Sequence, residues 1–249
     1  MDKKAGKLYG IGVGPGDPDL IPVKSVKILQ KVDLIFAASS SKNNHSQAVN
    51  IAAAHIPDTS RVIILPFPMT KDMAAKKKAW EKNAATIIEA LEKGLHAAFL
   101  TLGDTMTYST CGYIIQAVQA LAPHIEIETI PGITSYQAAA ATANTPLMEG
   151  EESLLILSGV QGGDNLRKHM DSAENVVFLK AYKHMDDIVA SVEEAGLIEN
   201  SYGIINCSLA DQEIVRDIRE LQKRDPKYWT LIVAKKGKKP NCQPAKQQA

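Results

Sequence analysis

From Phe99 to Cys111 the chain reads Phe-Leu-Thr-Leu-Gly-Asp-Thr-Met-Thr-Tyr-Ser-Thr-Cys, a single carboxylate followed by five hydroxyl side chains. Asp104 can accept hydrogen bonds from hydroxyl or ammonium groups, and the backbone N–H groups after Gly103 can serve carbonyls or carboxylates. Two further stretches have the same character: Gly14-Pro15-Gly16-Asp17-Pro18-Asp19 and Pro131-Gly132-Ile133-Thr134-Ser135. Each follows an apolar run and carries the glycine and proline of a loop. Loops at the carboxyl ends of parallel strands share one edge of a sheet, where small ligands bind. That placement brings Pro15, Asp104, Thr134 and Ser135 toward one cleft. The bland alternative stands beside it, since Asp, Thr and Ser after strands also serve as helix caps.

Other chemistries find less support. Gly10, Gly12, Gly14 and Gly16 miss the dinucleotide fingerprint: counting from Gly10 puts Pro15 at the third glycine, and counting from Gly12 puts Asp17 there. The second strand has its only acid, Asp33, at its beginning rather than its end. Histidines at 45, 55, 96, 124, 169 and 184 lack ligand spacing, and Cys111, Cys207 and Cys242 form neither a metal pattern nor a disulfide framework. No metal is expected, and a reducing cytoplasm fits the cysteines. Lys plus Arg balances Asp plus Glu at 28 each, so no basic field points to nucleic acid or an anionic membrane. The first apolar stretch is broken by Gly10, Gly12, Gly14 and Gly16, which argues against a signal peptide or membrane span.

The elements that position these loops follow from apolar periodicity. Strands are expected at 8–13, 32–37, 61–65 (stopped by Pro66 and Pro68), 96–102 and 125–130. Helices fit 23–29, 48–55, 73–91 (capped by Thr70), 113–121 and 135–143. Alternation of this kind predicts an α/β domain with a mostly parallel sheet, covering residues 1–145. A linker at 145–152 leads to a mixed α+β domain over 152–236, with strands near 154–157, 176–179, 202–205, 213–215 and 229–234 and one long helix at 186–194. Residues 237–249 read as a flexible tail.

The three loops, taken in order and separation, resemble the tetrapyrrole (corrin/porphyrin) methyltransferase family: Gly12-Val13-Gly14-Pro15-Gly16-Asp17-Pro18-Asp19-Leu20, Leu102-Gly103-Asp104 to Tyr108-Ser109-Thr110, and Ile130-Pro131-Gly132-Ile133-Thr134-Ser135. The resemblance runs from Leu8 to about Lys236. Tyr108-Ser109-Thr110 and Ser135-Tyr136-Gln137-Ala138-Ala139-Ala140 are closest to the branch that methylates C20 of precorrin-2 or cobalt-factor II in cobalamin synthesis. It implies a two-domain homodimer using S-adenosylmethionine, with the cofactor at Gly103, Asp104, Thr105, Met106, Tyr108, Thr134 and Ser135 and, from the second domain, Tyr182, Cys207, Ser208, Leu209 and Thr230. Pro15 would face the tetrapyrrole; Lys24 and Lys42, with Arg61 and Lys180, are candidates for its carboxylates. By position Asp104 and Tyr108 are candidates to accept the proton that leaves the methylated carbon. Two positions depart from the family: Thr105 stands where proline is common, and Pro22 where threonine is usual. A methylase for another tetrapyrrole position and a non-catalytic tetrapyrrole-binding protein are the alternatives, and the choice between cobalt-loaded and metal-free substrate stays open.

Overall fold

The computed structural model describes residues 4–40 and 46–237; Lys42, His45, Cys242 and the tail beyond Gly237 lie outside them. Contacts divide the chain into two units, with the boundary between Thr134 and Ser135. The alanine-rich helix, grouped with the first domain from sequence, therefore falls in the second unit.

The first unit contains β1 (Leu8–Gly12), α1 (Val23–Leu29), β2 (Leu34–Ser40), α2 (Gln47–Ala52), β3 (Arg61–Phe67), α3 (Met73–Glu92), β4 (Ala97–Thr101), α4 (Thr110–Leu121) and β5 (Ile127–Ile130). Its five strands run parallel in the order β3-β2-β4-β1-β5. Both sheet faces are covered: Leu8, Phe36 and Phe99 pack with Ile87, Leu91, Ile114 and Val118, while Ile11, Ile35 and Leu100 pack with Leu29 and Ile51. Burial on both faces is why these strands read as continuous apolar runs rather than alternating ones. Two local expectations are corrected. Pro66 does not stop β3, because β3 is the edge strand and proline there forfeits no ladder bond to a further strand. Asp72, not Thr70, caps α3, its Oδ1 accepting from Ala74 N–H at 2.9 Å and Ala75 N–H at 3.3 Å, while Thr70 Oγ1 accepts from Asp72 N–H.

The second unit contains α5 (Ser135–Thr142), β6 (Leu154–Ser158), α6 (Asp164–Arg167), β7 (Asn175–Leu179), α7 (Met185–Glu194), β8 (Ser201–Ile205), β9 (Glu213–Val215) and β10 (Thr230–Lys235). The strand order is β6-β7-β10-β8-β9; β6 and β7 are parallel and the remaining pairs antiparallel. Val176, Phe178, Ile188, Val192, Ile218 and Ile232 belong to its core. The fold is thus α/β, a parallel sheet followed by a mixed one, as expected. The helix α7 is tied down at one point: Arg167 reaches Asp187 and Glu194 at 2.7 Å each, and Asp187 Oδ2 accepts from Gly163 N–H at 2.7 Å. A Cβ on Gly163 would meet Ser191 Cβ at 2.3 Å, so glycine is what lets this backbone approach the helix.

Candidate functional site at the strand ends

In the first unit the three loops meet backbone to backbone. Gly14 and Gly103 form an antiparallel bridge, with Gly103 N–H to Gly14 O at 2.7 Å and Gly14 N–H to Gly103 O at 3.2 Å. A Cβ on Gly132 would lie 2.1 Å from Gly103 O, and one on Gly12 would lie 2.6 Å from the same oxygen. Only hydrogen fits at either position, so the ends of β1, β4 and β5 close on each other without side chains between them.

Asp104 locks the junction. Its Oδ1 accepts from Met106 N–H at 2.9 Å, Thr107 N–H at 3.0 Å and Thr107 Oγ1 at 3.1 Å, and its Oδ2 accepts from Gly132 N–H at 3.1 Å. Burial by itself raises its pKa, but the donors from Met106, Gly132 and Thr107 outweigh that and hold the carboxyl below its ordinary range. A carboxylate so engaged is a strong anchor and a weak base. The loop then ends on Ser109, whose Oγ caps α4 through Cys111 N–H at 3.0 Å and lies 2.8 Å from Thr101 Oγ1.

Between anchor and cap, Thr105 is 1% exposed and its hydroxyl has no hydrogen-bond partner among the described residues, whereas Met106 and Tyr108 are exposed at 57% and 52%. Tyr108 sits at φ 50°, a left-handed conformation that costs a bulky residue energy and often marks a functional position. Pro15 and Thr134 are buried in the adjoining loops. Lys24 is engaged by Glu128 at 2.5 Å, and hydrogen bonds from Lys24 and Lys7 press that carboxyl down to about 2. Arg61 begins β3, at the opposite end of the strand from the loops.

In the second unit the ends of β7 and β8 meet the start of β10. Ala181 N–H bonds Thr230 O at 2.9 Å and Asn206 N–H bonds Trp229 O at 3.0 Å. Lys180, His184, Asn206 and Ser208 all have positive φ, between 52° and 63°. Asn and His are enriched in that conformation, but Lys and Ser give no sequence signal for it, so the turns at Lys180 and Ser208 were not legible beforehand. Tyr182 and Thr230 line one cavity of about 360 Å³ together with Ala181, Lys183, His184, Ile205 and Lys227 among others. The Cys207 to Leu209 turn follows β8; Cys207 Sγ lies 3.5 Å from Ser135 O, and burial pushes its thiol up to about 11. Burial lowers the Lys180 ammonium. Among the described residues no cluster of His, Cys, Asp or Glu could hold a metal ion, and no helix is long and apolar enough to cross a membrane.

Residues 7–222 match the family model of tetrapyrrole (corrin/porphyrin) methylases. The chain belongs to that family. Among curated members it is 31% identical over 232 residues to the cobalt-precorrin-2 C(20)-methyltransferase of Salmonella typhimurium, covering 93% of this chain and 97% of the relative. It is 34% identical over 214 residues to a probable cobalt-precorrin-2 C(20)-methyltransferase of Methanocaldococcus jannaschii, covering 82% and 89%. A precorrin-2 C(20)-methyltransferase of Sinorhizobium sp is 28% identical over 92% of this chain and 94% of its own. Solved structures of family methylases share the fold. A cobalt precorrin-4 methyltransferase superposes with a TM-score of 0.70 at 22% identity, covering 92% of this chain and 94% of the other. The uroporphyrin-III C-methyltransferase of Thermus thermophilus, solved with S-adenyl homocysteine, gives 0.65 at 18% identity, covering 92% and 97%.

Proposed function

We propose that this tetrapyrrole methylase transfers a methyl group from S-adenosylmethionine to C20 of precorrin-2 or its cobalt-bearing counterpart in cobalamin synthesis. The observation that carries the reading is the junction of Gly12, Gly103 and Gly132 around Asp104, in a chain whose full-length relatives are named for that reaction. The residues present fit the cofactor: a buried Thr105 hydroxyl without a partner among the described residues, exposed Met106 and Tyr108 beside it and, in the second unit, Tyr182 and Thr230 on one cavity. Gly103, Asp104, Thr105, Met106, Tyr108, Thr134, Ser135, Tyr182, Cys207, Ser208, Leu209 and Thr230 would hold it. S-adenosylmethionine supplies an electrophilic methyl group.

What this chain adds is alignment. Holding two reacting atoms in line contributes on the order of 7–11 kcal/mol in favourable cases, and a loop pinned by four hydrogen bonds to one carboxylate is suited to that task. Asp104 works by fixing the loop, since its lone pairs are already committed; Tyr108, exposed and held at positive φ, is the better placed of the two proton-handling candidates. Pro15 supports the loop facing the tetrapyrrole, and Lys24 would have to exchange Glu128 for a substrate carboxylate. We place the enzyme in the cytoplasm as a homodimer.

The test is incubation with methyl-labelled S-adenosylmethionine and, side by side, precorrin-2 and its cobalt chelate. One labelled methyl on at least one of the two is expected, and the preferred one identifies the substrate form. Tetrapyrrole binding without transfer would favour the carrier reading instead.

A further inference from the structure

The cavity of the second unit has two unlike walls. Ala181, Ile205, Leu221 and Thr230 are buried, each 5% exposed or less, and form the strand-end side. Lys183, His184 and Lys227 are exposed and form the other. The remaining charged groups of the lining are largely committed elsewhere. Arg224 is paired with Glu213 and Glu220, and Asp186 Oδ1 accepts from Gln222 Nε2 at 3.1 Å. Among the described residues neither Lys183 nor Lys227 has a carboxylate within ion-pair distance, which leaves two ammonium groups unpaired in a lining that also holds the His184 imidazole, next to Asp187, and the carboxylates of Asp186 and Asp225.

The cations are held in place through their backbones and neighbours. Lys227 O accepts from Thr230 N–H at 3.1 Å and from Thr230 Oγ1 at 2.7 Å, so its side chain projects from a fixed point. Lys183 Nζ lies 5.4 Å from the centre of the Tyr182 ring, and that ring packs against Tyr228 at 5.0 Å with a 59° tilt. Burial and Tyr182 push the Tyr228 phenol up, keeping it a donor. Aromatic rings beside ammonium groups suit a ligand that is flat, conjugated and acidic at its edge.

We propose that Lys183, His184 and Lys227 form a carboxylate-binding subsite for one edge of the tetrapyrrole, with Tyr228 against its ring and Tyr182 left to the cofactor. The proposal rests on the methylase reading for the identity of the ligand. A volume of about 360 Å³ accommodates a pyrrole unit with its acidic arms rather than the whole macrocycle.

The subsite is tested with the full chain, its Lys183→Ala/Lys227→Ala double variant and the Lys183→Arg/Lys227→Arg double variant. Three measurements are needed: absorbance titration with metal-free precorrin-2, calorimetry with S-adenosylhomocysteine, and thermal melting. Loss of a charge-assisted hydrogen bond from each lysine predicts about tenfold or greater weakening of tetrapyrrole binding in the alanine variant, with arginine restoring most of it. S-adenosylhomocysteine affinity and melting temperature should stay at the wild-type values. An alanine variant that binds the tetrapyrrole like wild type overturns the subsite. So does one that loses S-adenosylhomocysteine, because the cationic wall then belongs to the cofactor. Wild-type protein that binds precorrin-2 through these lysines but transfers no methyl would instead sink the methylase reading and leave the subsite standing.

Discussion

The two units build their strand ends from opposite materials. In the first, glycines at 12, 103 and 132 bring three loops into backbone contact, and one carboxylate fastens them. In the second, full side chains occupy strained left-handed turns at Lys180, His184, Asn206 and Ser208, and one of them, His184, lines a cavity. The first design leaves no room for variation at the junction; the second leaves the backbone geometry fixed while side chains can change what the cavity accepts. A fold that serves related reactions can thus keep a constant cradle in one unit and vary recognition in the other.

The largest expected effect comes from adding one carbon to the first junction. Gly132→Ala places Cβ 2.1 Å from a backbone oxygen with no flexible neighbour to yield, so denaturant unfolding should show a loss of about 3 kcal/mol or more, or no folded protein. Tolerance of alanine at 132 would break the comparison outright.

Asp104→Asn comes next. It keeps the shape but weakens the three hydrogen bonds to Oδ1 and, with the amide nitrogen in place of Oδ2, sets a donor against Gly132 N–H; a loss of about 1–2 kcal/mol is expected at this partly exposed site. The pH dependence has a definite sign. The folded carboxyl lies below its unfolded value of about 3.9, so its contribution is complete above that value and disappears as pH falls through the folded one. Wild type should therefore lead the variant by a constant margin at neutral pH, with the two melting curves converging below about pH 4. A margin that widens in acid would assign the carboxyl the wrong shift.

The smallest effect is the mirror of the first. Ser208→Gly removes a side chain from a residue at φ 63° and should leave stability unchanged or raise it by up to about 1 kcal/mol. Marked destabilisation would mean that the Ser208 side chain carries structure in that turn beyond its backbone bond to Gln212.

Much of the first unit was legible because its signals are local. Apolar runs placed β1 through β5, and Gly103-Asp104 with its hydroxyls marked the loop that proves to be the junction. What the glycines at 12 and 132 do was not legible, since close approach between loops distant in sequence leaves no mark on either alone. Pro66 misled for a related reason: whether proline ends a strand depends on whether that strand is an edge, which is a property of the whole sheet. The cap at Asp72 lost to Thr70 by two residues, within the uncertainty of any single helix start. In the second unit α6 escaped because four residues are too short to show a helical period, and the positive-φ turn at Lys180 because lysine does not favour that conformation. Tyr182 and Thr230 line one cavity, while Cys207, Ser208 and Leu209, which the family resemblance grouped with them, do not.

The most direct test of the functional account is carbon NMR of the tetrapyrrole product after turnover with S-adenosylmethionine labelled at its methyl carbon. The account predicts one enriched methyl group bonded to C20. Enrichment at a different ring carbon would contradict the assignment of position, and an unlabelled product with precorrin-2 and with its cobalt chelate would contradict the proposed reaction itself.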